Sequence, residues 1–526
     1  MLLPAGLDQY GARRPHVTFL VQLCWGRAML DDEAVNKQAE DDGGPVASGL
    51  PALDYVLDGG YARNRVHVLE GRPGSGKTTL ALQFLLQGKA EGERCLYITL
   101  SESRSELLNV AATHGFDLEG VEIFELIPPE LSLDGDREQS VLYFSDLELG
   151  ETVRLVQEAV ERASPGRVVF DSVSEIRMLA QNVLRFRRQI LALKHFLTER
   201  GCTTIFLDDV TNEEDDLNLH ALAHGVIRLE QVPTIYGKSR RRLRVLKMRG
   251  RDFRSGYHDF VIRRGGVAVF PRLIAAEYDL HPEDDRPVPS GVEALDTIVG
   301  GGLDRGTTTL VIGPSGAGKS TLCMQYFKAA LDRGEKGLFI SFDETRRNFM
   351  RRGQGLGIDL SGHESSGSFV FRQVDPAELS PGELSEMIRT HVDDGFRMVA
   401  VDSLSGYQHA LPEESFLLLQ MHELLTYLNQ QGVVTLLVLA QAGIIGNMQS
   451  PVDVTYLADT VLLLRFFEAE GRLRRALSVV KKRTGEHETT IRELIIDPRG
   501  LQVSEPLSNL QGVMTGTPAF RDRDGV

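Results

Sequence analysis

Two stretches of the chain have residue types and spacing suited to gripping a phosphate chain. Gly71-x4-Gly76-Lys77-Thr78 and Gly313-x4-Gly318-Lys319-Ser320 share the pattern GxxxxGK followed by a hydroxyl residue. The glycines let backbone N–H groups turn inward around phosphate oxygens, and the positive end of the following helix adds to the field. Lys77 and Lys319 are placed to reach β- and γ-phosphates, and Thr78 and Ser320 to put a hydroxyl on Mg²⁺. The expected nucleotide contacts are Gly71, Gly74, Ser75, Gly76, Lys77, Thr78 and Thr79 in the first loop. In the second they are Gly313, Ser315, Gly316, Ala317, Gly318, Lys319, Ser320 and Thr321.

Acids and cations recur around these loops. Asp171 and Asp402 each close an apolar run, VVFD and VAVD. An acid at a strand's C-terminal edge beside a phosphate loop is expected to hold Mg²⁺ through water. Asp343 and Glu344 end another run, and a carboxylate there can take a proton from water or a hydroxyl nucleophile. The matching pair in the first half is Ser101 and Glu102, so one acid is absent. Lys247 and Arg249 recur as Lys481 and Arg483. Their spacing puts both on one face of a strand, where they can meet a neighbouring subunit's γ-phosphate.

The elements that must position these residues come as an internal repeat. SGLPALD at Ser48 returns as SGVEALD at Ser290, 242 residues on (290 − 48), and the phosphate loops and the strands at Leu96 and Leu338 keep that offset. The Asp171 strand returns after 231 residues (402 − 171), a change of the kind loops absorb. Apolar β-branched runs alternate with amphipathic stretches. This predicts an α/β protein of two tandem P-loop domains, each a mainly parallel twisted sheet flanked by helices. In the first copy the expected parallel strands are 66–69, 95–100, 168–171 and 203–208; an antiparallel set at 225–231, 242–249, 259–263 and 267–270 follows. The domains are placed at 45–272 and 289–504. Residues 1–44 are expected to be a flexible leader (Met29 is an alternative start), 273–288 a linker and 505–526 a tail.

Composition narrows the function classes. The 526 residues carry 58 Lys and Arg against 74 Asp and Glu, a net charge of −16. That is the wrong sign for a protein built to coat nucleic acid. Four scattered cysteines without a CxxC speak against a disulfide framework or zinc site and for a reducing cytoplasm. The apolar stretch 16–30 is too short to span a bilayer and lacks the flanks of an export signal.

With both phosphate loops, SGxxxLDxxxxGG present twice, LFISFDETRRNFMRRGQGLGIDL, FPRLIAAE, and ADTVLLLRFFEAEGRLRRALSVVKKRTGEHETTIRELII, residues 45–504 resemble the KaiC family, the double-domain branch of the RecA-like ATPases. The tail GVMTGTPAF is similar to those of KaiC-like proteins outside cyanobacteria. The resemblance implies two RecA-like domains in a double-ring homohexamer that uses ATP and Mg²⁺. The first ring would be an ATPase and the second a serine/threonine autokinase acting as a signalling or timing hub, with KaiB-like or two-component proteins as partners. It implies that Lys247, Arg249, Lys481 and Arg483 act on the neighbouring subunit's site. It carries the family's catalytic glutamate pair onto Asp343 and Glu344 and onto Ser101 and Glu102. Asp343 is a conservative departure; Ser101 leaves Glu102 as the candidate base of the first ring. The family's adjacent phosphoacceptors precede an Asp-Thr pair, here Asp459-Thr460, and align with Thr455 and Tyr456. Thr455 keeps an aliphatic hydroxyl. Tyr456 has a longer side chain and would point to the opposite side if the segment is extended.

Two other functions use the same core. A RecA- or DnaB-like DNA-dependent ATPase should present basic loops, whereas the loop at Asn212 runs Asn-Glu-Glu-Asp-Asp and that after Gln441 is nearly neutral. An ATP-gated scaffold without kinase activity is the other, and Ser101 leaves room for it in the first ring.

Overall fold

The computed structural model describes residues 43–126, 144–180, 182–210, 219–233, 237–279, 286–410, 417–441, 455–513 and 519–520. The leader before residue 43, the loops after Val210 and Gln441 and half of the tail fall outside this set.

Each repeat is organised on a nine-stranded sheet. The first comprises β1 (Val66–Gly71), β2 (Cys95–Thr99), β3 (Val121–Glu125), β4 (Arg167–Asp171), β5 (Thr203–Asp209), β6 (Gly225–Val232), β7 (Arg240–Met248), β8 (His258–Arg263) and β9 (Gly266–Phe270). The second comprises β10 (Thr308–Gly313), β11 (Gly337–Ser341), β12 (Phe369–Gln373), β13 (Met398–Asp402), β14 (Val434–Ala440), β15 (Thr460–Ala469), β16 (Arg472–Lys482), β17 (Arg492–Asp497) and β18 (Gly500–Pro506). The order is β3-β2-β4-β5-β1-β6-β7-β8-β9 in one and β12-β11-β13-β14-β10-β15-β16-β17-β18 in the other, the same topology twice.

The expected α/β architecture is therefore observed, with two adjustments. The strand at Gly225 was expected to open the antiparallel set. It pairs parallel with β1 instead, as β15 does with β10, so the sheet changes direction one strand later. An edge strand, β3, and the helix Arg104–His114 before it lie where no element was expected. β3 holds only Val121 and Ile123 buried, too short a pattern to stand out from a loop.

Burial on both faces explains the near-continuous apolar strands. In the second sheet Val311, Phe339, Ala400 and Val438 face one core with the helix Lys319–Asp332. Leu310, Leu338, Val399 and Leu437 face the other, under Leu384, Ile388 and Leu424 of two further helices. Alternate residues of each strand thus feed two layers. The core of the first repeat includes an arginine. Arg167 is fully buried and lies over the Phe84 ring; it pairs with Glu91 and with Glu93 at 2.9 Å. It also donates to the carbonyls of Ala47 (2.7 Å) and Phe84 (3.0 Å). The second repeat has Met398 at this position.

Candidate functional site

Both phosphate loops lie between the first strand of the sheet and a helix whose N-cap is glycine. Gly76 has φ 108° and Gly318 has φ 102°, a left-handed conformation open to glycine and costly for a side chain. A Cβ at Gly318 would also lie 2.4 Å from Cδ1 of Ile496. The loops sit at the C-terminal edge of a parallel sheet, beside the crevices where α/β proteins bind ligands.

In the second repeat one cleft of about 650 Å³ is lined by Lys319, Ser320, Asp343, Glu344, Arg352 and Asp402, among others. The sequence-expected loop, strand-edge acid and acid pair are brought together there. Lys319 donates to the carbonyls of Gly313 (2.9 Å) and Pro314 (2.8 Å). Asp402 ends β13; burial raises its carboxyl above the usual range, and the Ser320 hydroxyl, Lys319 and Arg352 pull it down. One acid and one hydroxyl, rather than a cage of ligands, suit Mg²⁺, which keeps waters and shares phosphate oxygens. No group of three or more acids, histidines or cysteines placed to hold a metal alone exists among the described residues.

The acid pair is divided between two tasks. Asp343 accepts from the Ser403 hydroxyl at 2.8 Å, which ties it to the residue after Asp402. Glu344 is half-buried, and its Oε2 lies 2.6 Å from Nη2 of Arg352 on the helix Arg346–Gly355. Burial raises the Glu344 carboxyl, Arg352 opposes that, and Asp402 adds to it. Arg352 and Ser403 are site residues that the sequence reading missed.

The first repeat holds the equivalent groups in a different network. Asp171 ends β4 and accepts from the phenol of fully buried Tyr97, whose counterpart is Phe339. Burial pushes the Asp171 carboxyl up to about 6, the Tyr97 hydrogen bond opposes this, and Glu102 adds to it. Burial and Asp171 raise the Tyr97 phenol, and Thr78 opposes that rise. Glu102 carries one buried oxygen, Oε2, with no hydrogen-bond partner. Its carboxyl is raised by burial, then by Glu106 and Asp209. Lys77 donates to Gly71 O (2.9 Å) and Arg72 O (3.2 Å) and also pairs with Asp209 at 2.6 Å.

The paired cations lie elsewhere. Lys247 donates to the carbonyls of His220 (2.6 Å) and Ala223 (2.9 Å), and Arg249 to that of Ala221 (2.7 Å). Arg65 and Lys194 act on the same neighbourhood: with Arg249 they add to burial in lowering His224 to about 4. In the second repeat Lys481 donates to the carbonyls of Thr455 (2.9 Å) and Ala458 (2.6 Å), and Arg483 to that of Tyr456 (3.1 Å). Thr455 and Tyr456 are exposed on a single 3₁₀ turn, Thr455–Leu457. The extended segment assumed from the sequence is thus corrected, and the two-sided argument against Tyr456 falls with it. Thr455, Tyr456, Lys481 and Arg483 do not line the cleft that holds Lys319 and Glu344.

A family model for the KaiC ATPase matches residues 46–274 and again 288–508. The circadian clock protein KaiC3 of Synechocystis sp. is 28% identical over 494 residues, covering 91% of this chain and 95% of its own length. The circadian clock oscillator protein KaiC of Thermostichus vulcanus is 26% identical over 89% of this chain and 90% of its own. That of Parasynechococcus marenigrum is 27% identical over 90% and 92%. Two matched repeats, each with a phosphate loop facing a buried strand-edge acid, make this chain an ATP-binding member of the KaiC ATPase family.

Proposed function

We propose that the chain is an ATP-hydrolysing serine/threonine autokinase that works as a homohexameric signalling or timing hub, with the first repeat hydrolysing ATP and the second phosphorylating the protein. The observation that carries this reading is the convergence of Lys319, Ser320, Asp402, Asp343 and Glu344 on one cleft. Lys319 and the loop N–H groups bind the β- and γ-phosphates. Ser320 and Asp402, and Thr78 and Asp171 in the first repeat, would hold Mg²⁺, which neutralises phosphate charge when bound. Glu344, with a carboxyl raised by burial, accepts the proton of the attacking hydroxyl as its oxygen bonds to the γ-phosphorus and the bond to the β–γ bridging oxygen breaks. Asp343, held by Ser403, fixes the strand end that carries Glu344. In the first repeat Glu102 takes the proton of an attacking water.

Separation of the hydroxyls from the cleft within one protomer supports transfer between protomers. The collection of Arg65, Lys194, Lys247 and Arg249 in one neighbourhood of the first repeat, where an anion from another subunit would be welcome, supports a first site completed by a neighbouring protomer. Thr455 is the expected acceptor, because a short aliphatic hydroxyl fits a gap sized for the γ-phosphate. Mass spectrometry after incubation with Mg²⁺ and ATP, paired with light scattering, tests the whole reading. It expects phosphate on Thr455 and an ATP-dependent hexamer; an unmodified monomer at saturating ATP would refute it.

A further inference from the structure

The two phosphate-loop lysines are not in the same state. Lys319 gives two of its three ammonium protons to loop carbonyls, and no described residue takes the third. That proton is available to a phosphate oxygen. Lys77 makes the same two loop contacts, and its third proton goes to Oδ1 of Asp209 at 2.6 Å. A lysine has only three such protons. In the first site, then, a carboxylate stands where a phosphate oxygen must bind.

Strand register explains the difference. Asp209 is the last residue of β5 and pairs directly with Gly71, the last residue of β1, where the phosphate loop begins. The equivalent pair in the second sheet is Gly313 with Ala440. Alanine carries no charge and lines the open cleft. The Asp209 backbone is pinned by the Ser174 hydroxyl at 2.9 Å, while its side chain remains 32% exposed. The carboxylate therefore has water to move into when it is displaced, and the lysine, 9% exposed, does not have to move.

We propose that Asp209 is an internal competitor for the phosphates of ATP: it holds the third proton of Lys77 and must be displaced for nucleotide to bind. This inference rests on the reading of the first repeat as an ATP site. The first site is thereby set to a weaker grip on ATP than the second, although the two loops match in pattern. Once displaced, Asp209 remains a like charge beside the γ-phosphate, which favours release of the inorganic phosphate formed on hydrolysis.

The test uses the full chain carrying Lys319→Ala, so that only the first site loads, and a fluorescent ATP analogue with Mg²⁺ at fixed ionic strength. Asp209→Asn and Asp209→Ala are expected to tighten binding by about two- to fivefold, the range for loss of one partly exposed ionic competitor. The gain should shrink at high salt. Asp209→Glu, which keeps the competing charge, should tighten binding less than either neutral variant, a distinction that a merely structural aspartate would not show. The reciprocal change, Ala440→Asp in a Lys77→Ala chain, should weaken second-site binding by a similar factor. Unchanged or weaker binding in Asp209→Asn and Asp209→Ala, or equal tightening in Asp209→Glu, overturns the proposal. Absence of saturable binding in the Lys319→Ala parent would instead sink the nucleotide-site reading of the first repeat.

Discussion

Replacing Arg352 with glutamine should move the pH dependence of the second site. The substitution keeps length and polarity but removes the cation 2.6 Å from Glu344. Three influences act on the Glu344 carboxyl: burial raises it, Arg352 lowers it, and Asp402 raises it. Without Arg352 only the raising influences remain, so the acid form persists to higher pH. A charge-assisted hydrogen bond contributes roughly 1.5–3 kcal/mol net, and partial exposure of both side chains, 31% and 26%, brings this down to about 1 kcal/mol. At about 1.4 kcal/mol per tenfold, that loss makes the rate on the acid limb roughly fivefold lower at a given pH. The assay is the initial rate of γ-phosphate loss from ATP by the full chain carrying Glu102→Gln, which removes the first site's proton acceptor and leaves its phosphate loop intact, followed across pH. The acid limb should move to higher pH, with the rate well above the limb retained. A limb that stays in place, or moves down, would refute Glu344 as the titrating proton acceptor. Loss of rate at every pH would mean that Arg352 touches the nucleotide instead.

Three further outcomes are expected. Lys77→Ala should mainly reduce steady phosphate release and ATP-dependent assembly, whereas Lys319→Ala should abolish self-labelling; undiminished labelling in Lys319→Ala would contradict the division of labour. Thr455→Ala should remove most label and Tyr456→Phe should leave most of it, read by phosphopeptide mass spectrometry; the reverse pattern would make tyrosine the acceptor. Arg167→Met installs the residue found in the second repeat but strands the carbonyls of Ala47 and Phe84, each costing about 1–3 kcal/mol when left without a donor. Urea unfolding should show the first repeat weakened by about 3 kcal/mol, and an unshifted transition would show that water satisfies those carbonyls.

The parts of this architecture visible in the amino-acid order are those written as short motifs or as a repeat. The phosphate loops, Asp171 and Asp402 stand at strand ends because the apolar runs before them read directly as buried strands. Asp209 was passed over for a physical reason: it ends a recognisable strand, but only the register with Gly71 shows that it reaches Lys77. The register is a long-range property, and local pattern carries no trace of it. A comparison of Asp209 with Ala440 at the 231-residue offset was the available signal. Arg352 lies one helical stretch beyond Glu344, in a run of arginines where any could have been solvated. The Thr455–Leu457 turn defeated an assumption of extended backbone, because β-branched and aromatic residues favour strands without requiring them.

The central strand of each sheet has a consequence for synthesis on the ribosome. Val66 of β1 pairs with Thr204 of β5, and His67 pairs with Gly225 of β6. Neither neighbour exists until well over a hundred further residues have been added. At about 5–20 residues per second the nascent β1, with its phosphate loop attached, waits on the order of ten seconds with both edges bare. β10 faces the same wait, since Thr308 pairs with Thr435 and Thr309 with Thr460. An apolar strand with two open edges is a template for pairing with another chain. Emerging chains on one message are then the nearest source of mispaired strands, and slow translation through residues 72–203 lengthens the window in which a chaperone must cover that strand.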